Sequence, residues 1–189
     1  MKVNLLLLAL FTLAIAGCKK TETLTTTTNT ATTTTTPPPV IGQSYQGGIV
    51  FYVDGAHGLI AATADQGTGT IQWYNGNSVI TNATSKEIGK GMTNTSLVVK
   101  AQSTGDYAAK ICDDLVLSGY SDWFLPSKDE LHLMYLNLKA KGLGDFIGGG
   151  YWSSSETTID IAWHEFFGNG YQSPDVKSNT YYVRAVRAF

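Results

Sequence analysis

Cysteine is nearly absent from this chain, which has only Cys18 and Cys112. With so few thiols the folded part has no disulfide framework and must be held by packing. Histidine is scarce too. His57, His132 and His164 are far apart and show neither HxH nor HExxH spacing, so no metal centre and no other cofactor is expected. Lysine and arginine number 13 against 15 aspartates and glutamates, for a formal charge of -2 and a pI near 5.9, with no basic run. Nucleic acid is therefore not an expected partner. No apolar run approaches the roughly 20 residues needed to cross a bilayer as a helix. "GKGMT" from Gly89 lacks the spacing of a phosphate-binding loop, and Ser153–Ser155 lacks the flanking glycines of a nucleophile elbow.

What is present begins at the N-terminus. Lys2 is followed by an apolar run from Val3 to Ala16, broken by Asn4 and Thr12, with the length of a secretory h-region. It ends in "IAGC", Ile15 to Cys18, which resembles the lipobox of bacterial lipoproteins. That resemblance implies a signal peptide over residues 1–17 and a mature chain whose first residue, Cys18, carries lipid. Two or more acyl chains hold a protein at a membrane essentially permanently, whereas one binds only marginally. The expectation is a lipid-anchored protein of the bacterial cell envelope, with the membrane as a partner through its lipid.

Residues 18–40 hold little that could be buried: "TETLTTTTNTATTTTTPPP" is threonine with three closing prolines. It reads as a disordered tether spanning about 25 Å as a flexible coil and at most about 70 Å fully extended. Such stalks are O-glycosylated where the machinery exists and are otherwise plain solvated spacers. Residues 41–189 then have the size of one domain, able to bury about 68–70% of the unfolded surface.

In this folded part, "GGIVFYVDGAHGLIAA" reads as a hairpin turning at Asp54-Gly55 and Gly58, its first strand apolar on both faces and so inside a sheet. Asp65 to Thr95 reads as a long loop region, and Thr104 to Leu117 as a helix closed by Ser118-Gly119. Ala108, Ile111, Leu115 and Val116 put Cys112 on that helix's apolar face, which predicts a buried thiol. "YWSSSE", "AWHEFFGNG" and "TYYVRAVRAF" read as strands. The order of strands, two helices, then strands gives an α+β class.

"LPSKDELHLMY" crowds two acids, a lysine and a histidine together, yet the residues fit a helix start. Pro126 ends the extended segment, and Ser127 with Glu130 forms a capping box. Asp129 and Glu130 both fall in the first turn, where negative charge is favoured. Leu131, Met134, Tyr135 and Leu138 follow as a core-facing stripe. Adjacent helical residues do not face each other, so this is not a catalytic acid pair, and no catalytic residue is assigned.

Taken together, "YQGGIVFYVD", "YAAKICDDL", "GYSDWFLPSKDEL", "YWSSSE", "AWHEFFGNG" and "VRAVRAF" resemble the Lcl C-terminal domain family, named for the globular end of a bacterial collagen-like adhesin. That family is similar to the C-type-lectin-like fold. The resemblance implies a mixed or antiparallel sheet, two flanking helices, a long loop region, and paired first and last strands. It also implies a surface-displayed recognition domain with glycan or extracellular matrix as ligand. The Gly-X-Y stalk of the family's namesake is replaced here by the threonine tether.

Sugars are bound by aromatic faces with amides nearby. Trp163, His164, Asn169 and Tyr171 are therefore the first candidate ligand site, with Asp175 of "QSPD" the candidate oxygen ligand of a calcium-type lectin site. Trp73, Tyr74 and Asn75 come second, while Trp123 and Trp152 read as core and 172–175 as an ordinary turn. Arg184 and Arg187 are expected to be partly buried and paired with Glu156 or Glu130, in a folding role. Two rival readings stand beside the binding module. One is a structural envelope protein without soluble ligand, and the other an enzyme of the formylglycine-generating type, which would need a reactive Cys112.

Overall fold

Strands β1 (Ser44–Tyr45), β2 (Gly48–Asp54) and β3 (His57–Ala62) open the described structure, a computed structural model covering residues 37–189. The expected signal peptide, Cys18 and most of the tether lie outside the described residues. No helix among those described is long and apolar enough to cross a membrane. The expected hairpin is present, with register running from Gly48↔Ala62 to Asp54↔His57. Its turn is Gly55-Ala56, with Gly55 at φ +61°. Gly58 lies instead within β3, where a Cβ would come 2.2 Å from the Tyr52 carbonyl oxygen and 2.5 Å from the Phe189 ring.

The first sheet has the order β1-β2-β3-β9, all antiparallel, with β9 at Val186–Ala188. The last strand therefore pairs with the third rather than the first, correcting the expected pairing of first and last strands. The chain ends meet through side chains: the Tyr45 and Phe189 rings are 4.9 Å apart, edge to face. Because successive residues of a strand point to opposite faces, β3 feeds two cores. Ile60 and Ala62 join Trp73, Trp123 and Trp152 in one, and Leu59 and Ala61 join Phe51, Leu131 and Met134 in the other. Trp123 and Trp152 are core residues, as expected.

Two further antiparallel sheets follow. β4 (Ile71–Gln72) pairs with β8 (Thr180–Tyr181), and β5 (Gly150–Thr158), β6 (Ile161–Phe166) and β7 (Tyr171–Val176) form a meander. Residues 172–175 are thus a strand and not the expected turn. Their Pro174 sits on the edge strand of that sheet, opposite Trp163, a position where its missing N–H costs nothing.

Three helices replace the two expected. α1 (Gly91–Gln102) occupies sequence read partly as loop, and the helix expected over 104–117 contracts to α2 (Ala108–Asp113). Ser103 and Gly105 hold positive φ between them, which separates the two helices. α3 (Lys128–Asn137) starts as expected. The Ser127 hydroxyl accepts the Glu130 N–H at 3.3 Å, and the Glu130 carboxylate accepts the Ser127 N–H at 2.7 Å. Leu131, Met134 and Leu138 are buried beneath it. The result is a mixed α+β domain of antiparallel sheets and three helices.

Candidate functional site

The long segment before α1 has little regular structure, yet it is closely braced. Glu156, buried at 2% exposure, accepts the backbone N–H groups of Thr81 and Asn82, each at 3.0 Å, and pairs with buried Lys177 at 2.5 Å. The Lys177 ammonium also donates to the Ile159 carbonyl at 2.7 Å and lies 4.4 Å from the centre of the Trp73 ring. Burial lowers the pKa of Lys177, and Glu156 opposes that shift. Farther along, Glu130 accepts the Gly89 N–H at 2.7 Å, while Asp129 N–H donates to the Lys86 carbonyl and Ser127 Oγ to the Glu87 carbonyl. Burial raises the pKa of Glu130, against which its backbone donors work. Glu156 and Glu130 are thus aimed at loop backbone.

The arginine pairings differ from expectation. Arg184 donates to Asp65 at 2.7 Å and to the carbonyls of Ala62 and Gly144, and its guanidinium lies 4.0 Å from the centre of the Phe146 ring. Arg187 pairs with Asp122, donates to Gln46 at 2.6 Å and stacks on Tyr120 at 3.7 Å. Asp65 and Asp122 therefore replace Glu156 and Glu130 as partners. Both arginines are buried, Arg184 more completely than Arg187.

The β5–β6–β7 meander divides the first candidate cluster between its two faces. Phe166↔Tyr171, His164↔Ser173 and Ala162↔Asp175 share one face, and Trp163↔Pro174 and Glu165↔Gln172 share the other. On the second face Trp163 lies beside α3, with the Lys86 and Lys128 ammonium groups 5.2 and 5.1 Å from its ring centre. Next to it the fully buried Glu165 bonds His132 Nδ1 at 2.9 Å and accepts from Gln172 at 3.1 Å. Burial raises the Glu165 pKa, and His132 holds it back. Gln172 also donates to the Lys128 carbonyl, so this pair ties α3 to the edge strand. His132 thus meets Glu165 rather than Asp129 or Glu130.

On the first face, Phe166 is 43% exposed and Tyr171 64% exposed, side by side across the strands. His164 is buried deeper, stacked on Tyr181 with centroids 4.4 Å apart and 12° between planes, its Nδ1 unpartnered. Burial lowers its pKa. Asp175 accepts from the Tyr181 hydroxyl and from Asn179 Nδ2 at 2.8 Å. Burial would raise the Asp175 pKa, but these bonds outweigh it and hold the group below the usual carboxylate range. Burial, then Asp175, pushes Tyr181 up to about 12. Asn169 is exposed in the β6–β7 turn, where its side-chain oxygen accepts the Tyr171 N–H.

Sequence reasoning missed Phe166, Asn179 and Tyr181 on this face. Phe166 stands within the quoted "AWHEFF" and was legible by alternation with His164, whereas Tyr181 arrives from a separate strand. Of the second candidate cluster, Trp73 is fully buried, donating to the Ser153 carbonyl, while Tyr74 and Asn75 are half-buried, with Asn75 bonded to Gln102. Cys112 is buried, and its desolvated thiol has a pKa well above the usual value, unlike a reactive cysteine.

These features define a mixed α+β domain that uses Glu130 and Glu156 to brace loops and leaves aromatic residues exposed on one face of a sheet. The family model described as the Lcl C-terminal domain matches residues 61–187, and the chain belongs to that family. Among solved structures the chain is similar to one described as a fimbrial protein from Bacteroides ovatus ATCC 8483. The identity is 18% and the TM-score 0.44, over 68% of this chain and 35% of that one. The chain thus spans about a third of that protein's length. A comparison with curated proteins finds no match.

Proposed function

We propose that the chain is a lipid-anchored module of the bacterial cell envelope, displayed at the surface, that recognises a glycan or matrix component through the first face of β6 and β7. The observation that carries this reading is the exposed pair Phe166 and Tyr171, with Asp175 and Asn179 on the same side of the meander. Aromatic faces pack against the C–H faces of sugar rings, while a few fixed polar groups set orientation. His164 and Tyr181 form the floor, so of the residues first proposed His164 supports the site, Tyr171 and Asp175 line it, and Asn169 flanks it. Trp163, on the opposite face, is not part of it.

Membership of the Lcl C-terminal domain family and the export pattern at Cys18 both support surface display. A C-type-lectin-like ancestry accords with the antiparallel sheets, the flanking helices and the braced loop region. The test uses the full chain in non-ionic detergent on a glycan array, with and without EDTA, against Tyr171→Ala. Binding that Tyr171→Ala abolishes is expected. Loss in EDTA would add a calcium ion at Asp175. Absence of binding at any salt concentration would overturn the reading and favour a structural envelope role. Retention of the Cys18→Ser variant in the membrane fraction would overturn the anchoring.

A further inference from the structure

A cavity of about 380 Å³ lies against the first sheet and contains none of the residues discussed as a glycan site. Its floor follows from strand register. Tyr52 stands opposite Leu59, Leu59 opposite Ala188, and Asp54 opposite His57 in the next row on the same face. Ile88, 40% exposed, and the backbone of Gly89 form the opposing wall.

That wall is held in place before any ligand arrives. Glu130 accepts the Gly89 N–H, and the two residues before Ile88 are fixed too, the Glu87 carbonyl by Ser127 Oγ and the Lys86 carbonyl by the Asp129 N–H. A site whose walls are fixed beforehand loses less freedom on binding. The volume falls in the range of small-ligand sites, which are typically apolar with a few convergent polar groups.

The chemistry of the cavity is one-sided. Leu59, Ile88 and Ala188 supply apolar wall. Asp54 is its one acidic side chain and makes no ion pair among the described residues. The His57 side chain and the Tyr52 hydroxyl also have no hydrogen-bond partner among the described residues, and Tyr52 and Phe189 are the aromatic residues of the lining. No lysine or arginine lines the cavity to receive an anion.

We infer that this cavity binds a primary ammonium group on a short apolar stem, its charge held by Asp54 and its stem laid against Leu59 and Ile88. A free amine and a lysine side chain of another protein share this chemistry, and the two can be told apart.

The experiment follows the amide and imidazole resonances of the full chain in detergent during titration with three probes. These are phenethylammonium, its neutral analogue 2-phenylethanol, and Nα-acetyl-lysine methylamide. Saturable shifts confined to the residues around Asp54 and His57 are expected with at least one amine. Asp54→Asn should weaken that binding about fivefold, the upper end for an exposed ion pair, and the alcohol should bind correspondingly less well than phenethylammonium. Asp54 is exposed beside a turn, so its variant is expected to fold, which circular dichroism checks. Asp106→Asn, at a different cleft, should leave the titration unchanged. Tighter binding of the lysine derivative assigns a protein partner, and tighter binding of phenethylammonium assigns a free amine. Failure of both amines to saturate, or equal binding of amine and alcohol insensitive to Asp54→Asn, overturns the inference. Neither result depends on the glycan array.

Discussion

The two faces of the β5–β6–β7 meander carry similar residues to opposite ends. Beside α3, Glu165, His132 and Gln172 are bonded to one another and to the helix backbone, with Trp163 half-buried next to them. On the other side Phe166 and Tyr171 stand in solvent beside a polar cluster made by Asp175, Asn179 and Tyr181. A buried polar group must find a partner or lose the free energy of its hydration, so the α3 side is committed to the fold. Exposed aromatics contribute little to stability and remain available to a ligand. Residue type alone does not separate a binding face from a brace, and burial with its partners does.

The sharpest way to break this contrast is to remove a brace. Glu156→Ala strips Lys177 of its counter-ion and leaves the Thr81 and Asn82 amides unpaired. Breaking a buried pair by removing one partner costs about 3–5 kcal/mol, and urea denaturation should show a loss of that size. A loss below about 1 kcal/mol, the level of an exposed pair, would mean that the loop does not depend on this carboxylate.

Gly91→Ala comes next. A Cβ at Gly91 would lie 2.3 Å from the Glu130 carboxylate and 2.8 Å from the Phe124 ring. Overpacking of this kind costs about 1–3 kcal/mol. Either the helix start or the Glu130 brace must shift, and loss of protection at the Gly89 amide in hydrogen exchange would identify the brace.

Gly91 also explains why α1 was not legible. Its N-cap is Lys90 with no side-chain cap, and its buried positions include Asn94 and Thr95, which break the apolar stripe. Those residues are buried because they bond distant backbone: Asn94 to the Ser85 carbonyl and Thr95 to both the N–H and carbonyl of Leu125. By contrast, the start of α3 is encoded within four residues and was readable outright. The hairpin and the buried state of Cys112, Arg184 and Arg187 were readable for the same reason, each resting on local pattern or residue type. The partners Asp65, Asp122 and Lys177 were not, because each lies far along the chain from the residue it satisfies. The binding face was half legible: alternation along β6 separates His164 from Trp163, but only pairing with β7 and the packing of Tyr181 from β8 show which side is open.

A gentler test concerns pH. His164 is buried and its folded-state pKa is lowered from 6.5, so folding disfavours its protonation. The stability it contributes is complete above about pH 6.5 and is lost as the pH falls through the lowered value, by about 1.4 kcal/mol for each pH unit of depression. Glu130 and Glu165 have raised values and act in the opposite sense, contributing stability that is complete below 4.5 and is lost as the pH rises through the raised values. Because both acids remain in His164→Gln, the comparison isolates the histidine. Stability measured from pH 7 to pH 5 should fall more steeply in the natural protein than in the variant, and parallel slopes would show that His164 accepts a proton without penalty.

The smallest effect on folding is expected where the effect on binding is largest. Tyr171 is 64% exposed, so Tyr171→Ala should change unfolding free energy by no more than about 0.5 kcal/mol. Phe166→Ala, less exposed than Tyr171 at 43%, should cost somewhat more but well below the about 3 kcal/mol of a core phenylalanine. If either variant unfolds the domain, the exposed pair is packing and the two faces of the meander do not differ in kind. If both remain folded and glycan binding falls, the pair holds ligand while Glu165, Glu156 and Glu130 hold the scaffold beneath it. The comparison then yields a general reading for domains of this kind: an acid at a helix start is a poor guide to a ligand when, as at Glu130, backbone amides already occupy both of its oxygens.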